Sequence, residues 1–243
     1  MLIRRARRND RGGRQRGRFV TRASSYNGIV FDARTHWDRI YSTKSPADVS
    51  WYRHHLERSL ALVERAAHDR HAAIIDVGGG ASTLVDDLLD RGYTNLTVMD
   101  VSGASIDAAR QRLGQRAEAI EWVVADFRDA VLPSNAFDVW HDRAAFHFLI
   151  DVSERAQYVS QLRRALRPEG QAVISTFAPT GPTHCSGLEV VRYEPVALQE
   201  SLGEGFHLVQ SEQEQHVTPS GSMQQFSYCR FERNQMGVGE SRN

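Results

Sequence analysis

The sequence predicts an α/β fold with a doubly wound, mostly parallel sheet of about seven strands. Five apolar runs follow one another along the chain, and helical patterns separate them. Strands that alternate with helices pair in parallel through right-handed crossovers, and such runs suit strands that are covered on both faces. Two further runs near the C-terminus predict an antiparallel hairpin. The strand candidates are residues 72–77, 95–101, 120–126, 137–142, 171–178, 206–218 and 224–233.

Six segments are predicted to be helical, and two of them precede the sheet. In 51–67 the apolar residues recur at intervals of three and four, which is the spacing of a helix face. The segment 153–167 is expected to end at Pro168 and Gly170, which form a stop signal. The predicted helices are 34–41, 51–67, 82–91, 103–113, 153–167 and 195–202.

Composition indicates a globular protein with an uneven distribution of charge. The chain has 243 residues, of which 41% are hydrophobic and 25% are charged, and these are ordinary values. The formal net charge is zero, yet residues 1–22 carry nine arginines against one acid, Asp10. The rest of the chain therefore has an excess of acids. An acidic body binds phosphate backbones poorly, so nucleic-acid binding is expected only through the arginine-rich arm.

We expect a single domain over residues 31–235 with a segment of different character on each side. Residues 1–30 are too rich in like charges and glycine to bury a core, so they predict a disordered basic arm. Such an arm could bind RNA or direct the chain to an organelle, or it could be a non-native extension before a true start near residue 30. Residues 236–243 predict a flexible tail.

Cysteine and histidine usage indicates neither a disulfide framework nor a metal site. The two cysteines, Cys185 and Cys229, form no CxxC pair, and the ten histidines show no ligand spacing. No apolar run approaches the roughly 18 residues of a membrane helix. We therefore expect a cytoplasmic protein without a metal or a membrane partner, either a monomer or a dimer.

The stretch "DVGGGAS" predicts a nucleotide-like ligand. Gly78 and Gly80 remove the Cβ atoms that would keep a ligand away from the backbone. Asp76, Asp100 and Asp126 end the first three predicted strands of the sheet. Open sheets of this kind bind ligands at the carboxyl ends of their strands, which is where these acids are expected.

The pattern of acids favours a nucleoside with a cationic, amino-acid-like tail over a dinucleotide. The dinucleotide fingerprint G-x-G-x-x-G fails because Thr83 stands in place of its third glycine. Asp76 suits an amino group rather than a diphosphate, and Asp126 can accept from an adenine amino group. Asp100, 22 residues after Gly78, fits an acid that binds ribose hydroxyls. An NAD-dependent oxidoreductase remains as an alternative.

The ordered motifs "DVGGG", "VMDVS", "VVADF" and "LRPEG" resemble those of the class I S-adenosylmethionine (SAM)-dependent methyltransferases over roughly residues 34–232. Ser82 stands where that family often has a third glycine. The resemblance implies a Rossmann-like fold, SAM as the cofactor, and contacts from the turn to methionine, from Asp100 to ribose and from Asp126 to adenine. The implied cofactor-binding residues are Asp76, Gly78, Gly79, Gly80, Asp100, Val101, Asp126 and Phe127.

The resemblance places the methyl group next to "WHDRAAFHFL", at the end of the fourth strand. This segment is similar to the D-R-G-A run of thiopurine-type methyltransferases and to the D-K-G-T-x-D run of elongation-factor lysine methyltransferases. The N/D-PPY/F tetrad is absent, which argues against nucleobase amino groups. The leading interpretation is a small-molecule acceptor, such as a thiol or related chalcogen compound. A protein lysine is the alternative, and SAM binding without catalysis is a further one.

Three residues of this segment are candidate catalytic groups: Asp142, His147 and His141. Asp142 could orient a substrate amine or receive its proton, although it could equally cap a helix or pair with Arg143. His147 could act as a base or lie on a helix face. The predicted substrate-binding residues are aromatic, basic or located in the loop after the fifth strand, namely Trp37, Tyr41, Trp51, Tyr52, Arg143, His184, Cys185, Arg192 and Tyr193.

Overall fold

The structure, a computed structural model, describes residues 25–26, 29–45 and 48–235. Strands β1 (Ser25–Tyr26) and β2 (Ile29–Val30) form an antiparallel pair in a small N-terminal unit. Apart from this pair, the predicted basic arm lies outside the described residues, and so does the predicted C-terminal tail. The residues from Ala33 onward form a separate compact unit.

A seven-stranded sheet lies at the centre of that second unit and confirms the predicted fold class. Its strands are β3 (Ile74–Val77), β4 (Leu96–Asp100), β5 (Ile120–Val124), β6 (Phe137–Arg143), β7 (Leu166–Phe177), β10 (Phe206–Val217) and β11 (Met223–Arg233). In space they follow the order β10-β11-β7-β6-β3-β4-β5. The strands from β3 to β7 are parallel, whereas β11 is antiparallel to both of its neighbours. The order of the strands reverses between β3 and β6, where open sheets bind their ligands.

Helices cover both faces of the sheet, which makes it doubly wound. They are α1 (Ala33–Thr43), α2 (Glu57–Ala66), α3 (Leu84–Asp90), α4 (Gly103–Leu113), α5 (Val152–Ala165) and α6 (Pro195–Leu202). One buried apolar cluster contains Leu162 of α5 and Leu198 of α6. The other contains Leu60 of α2 and Leu88 of α3. The two clusters lie on opposite faces because side chains alternate along each strand.

Helix α2 begins at residue 57 rather than at the predicted residue 51. The backbone of the preceding segment is bound by side chains near α3 instead of by helical hydrogen bonds. The Leu56 N–H donates to the Asp87 carboxylate at 3.2 Å, and the Thr83 hydroxyl donates to the Arg53 carbonyl at 3.0 Å. The predicted range 51–67 is therefore wrong at its N-terminal end.

The predicted stop signal, which contains Pro168 and Gly170, follows the end of α5. Its residues lie in the next strand of the sheet. Helix α5 ends at Ala165, and "LRPEG" forms the first part of β7. The pairing with β6 shifts register here, from Phe137 opposite Leu166 to Val139 opposite Gln171. The irregularity accommodates the residues of β7 between Leu166 and Gln171 that have no partner in β6. Because β7 begins at Leu166, the predicted strand start at residue 171 is wrong.

A short hairpin that the sequence analysis missed lies in the loop after β7. It pairs β8 (His184–Cys185) with β9 (Leu188–Glu189) in antiparallel fashion. Ser186 and Gly187 connect them with φ of +51° and +78°, the conformation of a tight two-residue turn.

The predicted C-terminal hairpin is confirmed as β10 and β11, with β11 inside the sheet. The side chains of β11 alternate between the two faces of the sheet. Phe226 and Tyr228 belong to the cluster under α2, while Cys229 and Phe231 belong to the opposite one.

A buried hydrogen-bond chain joins α5 to β6. The Trp140 indole N–H donates to the Tyr158 hydroxyl at 2.8 Å, and that hydroxyl donates to Asp142 at 2.8 Å. All three side chains are buried. Removing the Tyr158 hydroxyl would leave the buried Trp140 N–H without its acceptor. The buried Asp142 carboxylate would lose one of its donors.

We expect Tyr158→Phe to lower the free energy of unfolding by about 1–3 kcal/mol for this reason. Urea denaturation measures the change. Ser153→Ala removes a hydroxyl from an exposed position of the same helix and serves as the control. Equal stability of the two variants would contradict a structural role for the chain.

Candidate functional site

The glycine turn after β3 lies directly against two buried acids. Gly78 has a φ of +69° and donates its N–H to the carbonyl of Met99 at 2.7 Å, which ties the turn to β4. A side chain at Gly80 would collide with Asp100 and with Ser105 of α4. Glycine is therefore required here, both for the backbone conformation and for the close approach.

Asp76 is held at one carboxylate oxygen and unpartnered at the other. Its Oδ1 accepts from His141 Nδ1 at 2.6 Å, and His141 Nε2 lies 3.0 Å from the Ser59 hydroxyl of α2. All three side chains are buried. Within the described residues, Asp76 Oδ2 has no hydrogen-bond partner, although Gly79 lies directly against this carboxylate. A free, buried carboxylate oxygen is the acceptor that an amino acid's ammonium group requires.

Asp100, at the end of β4, is also buried and faces the same turn. Burial raises its pKa to about 6, and the nearby charge of Asp76 adds to the rise. The Ser102 N–H, 2.8 Å from Oδ1, and the Ser105 hydroxyl act in the opposite direction. The carboxyl is thus ionised at neutral pH, with a pKa only about one unit lower. Val101 follows it in a bend and is half-buried.

Asp126 lies after β5, where it is held by an arginine. Arg128 Nε donates to both of its carboxylate oxygens, at 2.9 and 3.0 Å, and the same guanidinium pairs with Glu154. The ring of Phe127 contacts Tyr158 edge to face, with centroids 5.2 Å apart. Hydrogen bonding of Asp126 to adenine stays a prediction. An adenine amino group would have to donate to a carboxylate that already accepts from Arg128.

Asp142 uses both of its carboxylate oxygens within the protein. Oδ1 accepts from the Ala145 N–H at 2.9 Å, and Oδ2 accepts from the Phe146 N–H at 3.1 Å and from Tyr158. Burial raises its pKa to about 6. The structure therefore shows the capping role that the sequence analysis named as the alternative. Its assignment as a base stays a prediction.

His147 is buried between two aromatic rings, with centroids 4.5 Å from Phe148 and 4.8 Å from Phe177. Neither ring nitrogen has a hydrogen-bond partner among the described residues. Burial lowers the pKa of His147 to about 3, and the charge of Arg143 contributes. The imidazole is neutral at physiological pH and a weak base, which argues against the predicted catalytic role.

Arg143 ends β6 inside the protein, with its guanidinium carbon 4.9 Å from the Phe226 ring centroid. Nε donates to the Tyr228 hydroxyl at 2.9 Å, and Nη1 donates to the Trp51 carbonyl at 3.0 Å. Nη2 is buried and has no hydrogen-bond partner within the described ranges. Arg143 is a predicted substrate-binding residue, and one of its donors is available for that role.

The structure brings together three of the predicted aromatic residues. The Trp37 ring lies 5.8 Å from Trp51, 6.4 Å from Tyr41 and 5.2 Å from Phe148. Burial raises the pKa of the Tyr41 hydroxyl, and the charge of Asp100 adds to this. Because Asp100 belongs to the glycine-turn site, these rings form a wall next to it. Aromatic walls of this kind attract a sulfonium and exclude water.

Four of the other predicted substrate residues have separate surroundings, whereas Cys185 lies close enough to Arg143 and Tyr41 to interact with them electrostatically. Tyr52 contacts the His54 ring at 5.7 Å, the exposed His184 bonds to Thr183, and Arg192 donates to the Pro179 carbonyl. Tyr193 belongs to the buried cluster on the opposite face of the sheet, as does Phe146, whose ring is 5.6 Å away. Cys185 is buried, which raises the pKa of its thiol to about 11, so it is a thiol at neutral pH.

Sequence reasoning missed Ser59, Phe148, Ser175 and Tyr228. Ser59 gave a detectable signal, because it is a polar residue one position before Leu60 on the apolar face of α2. Phe148 lies inside the quoted "WHDRAAFHFL" motif. The two strand residues gave no local signal, since their importance depends on which strand lies beside β6.

A protein-family model described as "Methyltransferase domain" matches residues 74–170, which contain the glycine turn, all three acids and the end of β6. Residues 74–170 therefore form a methyltransferase domain, and the chain is similar to SAM-dependent methyltransferases. This result supports methyl transfer rather than the NAD-dependent alternative, and SAM is the methyl donor. The residue-by-residue assignments at the site remain predictions.

Two curated relatives are enzymes with different acceptors. EEF1A lysine methyltransferase 2 of Danio rerio is 25% identical over 170 residues, which is 64% of this chain and 73% of the relative. Malonyl-[acyl-carrier protein] O-methyltransferase of Paenibacillus sp. (strain JDR-2) is 30% identical over 129 residues, 51% of this chain. The match covers 46% of that relative, about half of its length.

Two solved structures show the same fold at low identity. One, described under the conversion of a disulfide bond into a thioacetal group during echinomycin biosynthesis, has a TM-score of 0.69 and 19% identity, covering 84% of this chain and 94% of its own. The other is the Burkholderia thailandensis 1,6-didemethyltoxoflavin-N1-methyltransferase with bound S-adenosylhomocysteine (SAH), with a TM-score of 0.59, 17% identity and coverage of 83% and 84%. Within the described ranges, none of the helices combines the length and apolar character of a membrane span.

We expect SAH binding to weaken as the pH falls through the pKa of Asp100, which is about 6. Protonation removes the negative charge that would accept the ribose hydroxyls. Isothermal titration calorimetry between about pH 7.5 and pH 5 should show a loss of several-fold in the wild type. Asp100→Asn should bind weakly with little pH dependence. An identical pH dependence in both proteins would remove Asp100 from the site.

We also expect the His141 bond to Asp76 to be required for SAH affinity. His141→Leu removes the donor, whereas His141→Asn keeps an amide N–H close to the position of Nδ1. Calorimetry should show SAH binding about tenfold weaker in the leucine variant and largely retained in the asparagine variant. Equal losses in both variants would indicate that only packing matters at this position.

Proposed function

We propose that the protein methylates a small molecule whose nucleophile is a thiolate or a related chalcogen anion, and that the enzyme contributes positioning rather than a base. The observation that carries the proposal is the state of the three candidate catalytic groups. His141 has both ring nitrogens engaged, by Asp76 and by Ser59. Asp142 has both oxygens occupied. His147 is neutral and has a pKa of about 3. An acceptor that ionises by itself near neutral pH suits such a site.

Bound SAM supplies a methyl group that is attached to a sulfonium sulfur. After the transfer this sulfur is a neutral thioether, so the leaving group needs no protonation by an acid. In this proposal the free Oδ2 of Asp76 accepts the ammonium of the methionine part of SAM. Asp100 is placed for the ribose hydroxyls. Trp37 and Trp51 are placed to exclude water from the reacting atoms. Alignment and exclusion of water can together contribute several kcal/mol to the rate.

The pKa of the nucleophile distinguishes a thiol acceptor from a lysine acceptor. A thiol with a pKa of about 8.5 is partly ionised at neutral pH, whereas a lysine with a pKa of about 10.4 must lose a proton before it can attack. The cation of the half-buried Arg143 would also repel a lysine ammonium. The similarity of the "WHDRAAFHFL" segment to thiopurine-type enzymes further supports a chalcogen acceptor.

Protein lysine N-methylation is the second candidate. The similarity to EEF1A lysine methyltransferase 2 favours it, and the excess of acids outside residues 1–22 would suit a basic protein. A coupled assay for SAH release compares the candidates directly. Run over thiols, amines, carboxylic acids and lysine-containing proteins, it should give turnover with thiols. Turnover confined to lysine proteins would overturn the first proposal.

Without an enzyme base, the pH dependence should follow the acceptor. We expect kcat/KM to rise about tenfold per pH unit up to the pKa of the thiol used, and then to level off. An aromatic thiol of low pKa should therefore reach its plateau at lower pH than an aliphatic thiol. A common midpoint for both thiols would mean that a protein group sets the profile, and the proposal would fail.

A further inference from the structure

A closed series of contacts starts and ends at the guanidinium of Arg143. Its seven members, here called the Arg143 pocket, are Arg143, Trp51, Trp37, Phe148, His147, Phe177 and Phe226. Arg143 binds the Trp51 carbonyl at 3.0 Å, and the Trp51 ring contacts Trp37 at 5.8 Å. Trp37 then leads to Phe148 at 5.2 Å, and Phe148 leads to His147 at 4.5 Å. The series closes through Phe177 and Phe226, whose centroids are 4.8 Å apart, and back to Arg143 at 4.9 Å.

The positive charge in this pocket has no direct counter-charge. Among the residues that the structure describes, no carboxylate forms an ion pair with Arg143. The nearest link is indirect, because Tyr228 accepts from Arg143 and donates its hydroxyl to Glu214 at 3.0 Å. Glu214 itself lies 3.5 Å from Arg53. Burying a cation without a partner is costly, which makes the pocket attractive to an anion.

Three side chains in one place have unused donors. Nη2 of Arg143, the Ser175 hydroxyl and both ring nitrogens of His147 are buried and lack a partner within the described ranges. Ser175 is directly opposite Arg143 in the β6–β7 register. Phe177, two residues further along the same face of β7, contacts the His147 ring. Buried polar groups are nearly always hydrogen-bonded, so a cluster of unpartnered donors indicates a ligand.

The pocket adjoins the cofactor site. Ala145 lies midway in sequence between Arg143 and His147, and a Cβ placed on Gly78 would lie only 2.7 Å from the Ala145 Cβ. The loop that carries the two pocket residues therefore packs on the glycine turn. A molecule held in the pocket would lie next to the methyl donor.

We propose that the Arg143 pocket binds a carboxylate carried by the methyl acceptor, with Arg143, Ser175 and His147 as hydrogen-bond donors. The inference rests on the proposed function, since it describes the acceptor of that same site. One cation and two neutral donors balance a monoanion, whereas a phosphate dianion would retain uncompensated charge. The aromatic members of the pocket suit an apolar body between the carboxylate and the nucleophile.

A pair of matched probes tests the proposal without turnover. Phenylacetate and phenylacetamide have the same shape, and only the first carries a charge. Calorimetry on the full chain loaded with SAH should show phenylacetate binding about tenfold tighter than the amide or better. Arg143→Gln should abolish that preference. Arg116→Gln removes an exposed arginine that pairs with Asp90 and should leave the preference intact.

Ser175→Ala is the second variant, in case Arg143→Gln fails to fold. Because the Ser175 hydroxyl has no hydrogen-bond partner among the described residues, its removal should not destabilise the fold, yet it should weaken phenylacetate binding several-fold. Equal binding of the two probes to the wild type would overturn the proposal. So would Ser175→Ala binding phenylacetate as tightly as the wild type. The proposed function fails separately, if thiols yield no SAH in the turnover assay.

Discussion

The parallel pairing of β3 with β6 is the constraint on which the rest of the site depends. This register sets Asp76 opposite His141 and Val77 opposite Asp142. Because side chains alternate along a strand, His141 and Arg143 face the same side as Asp76, while Asp142 faces the other. One pairing thus delivers the Asp76 carboxylate, its hydrogen-bond donor His141 and the Arg143 cation to a single face. A shift of β6 by one residue would turn His141 and Arg143 to the opposite face, away from Asp76.

Buried polar groups on both faces of this strand pair are costly to fold, and the way each is satisfied indicates its role. Asp142 is saturated by backbone N–H groups and Tyr158, so it holds the loop in place. Asp76 keeps one free oxygen, and Arg143 keeps one free nitrogen. Since unsatisfied buried groups cost about 1–3 kcal/mol each, a fold retains them where a ligand completes them. The two free atoms have opposite character, which suits a cationic donor and an anionic acceptor.

The site is better suited to holding reactants than to moving protons. His147 lies among aromatic rings that suppress its protonation, and the Cys185 thiol is kept neutral by burial. Methyl transfer from a sulfonium needs alignment and a dry environment more than it needs an acid or a base. In the proposed function, the aromatic wall around Trp37 and the glycine turn would provide these conditions, and the acceptor would ionise without a protein base.

The sequence alone determined the order of strands and helices, the glycine turn and the acids at the strand ends. These features follow from local periodicity and turn chemistry, which a short segment carries by itself. Only the tertiary structure decided that Ser59 supports His141, that Arg128 occupies Asp126 and that Tyr193 lies on the opposite face. The start of α2 was also decided there, by side chains near α3. These contacts join segments that are far apart in the sequence, and no local sequence pattern predicts which distant segments pack together.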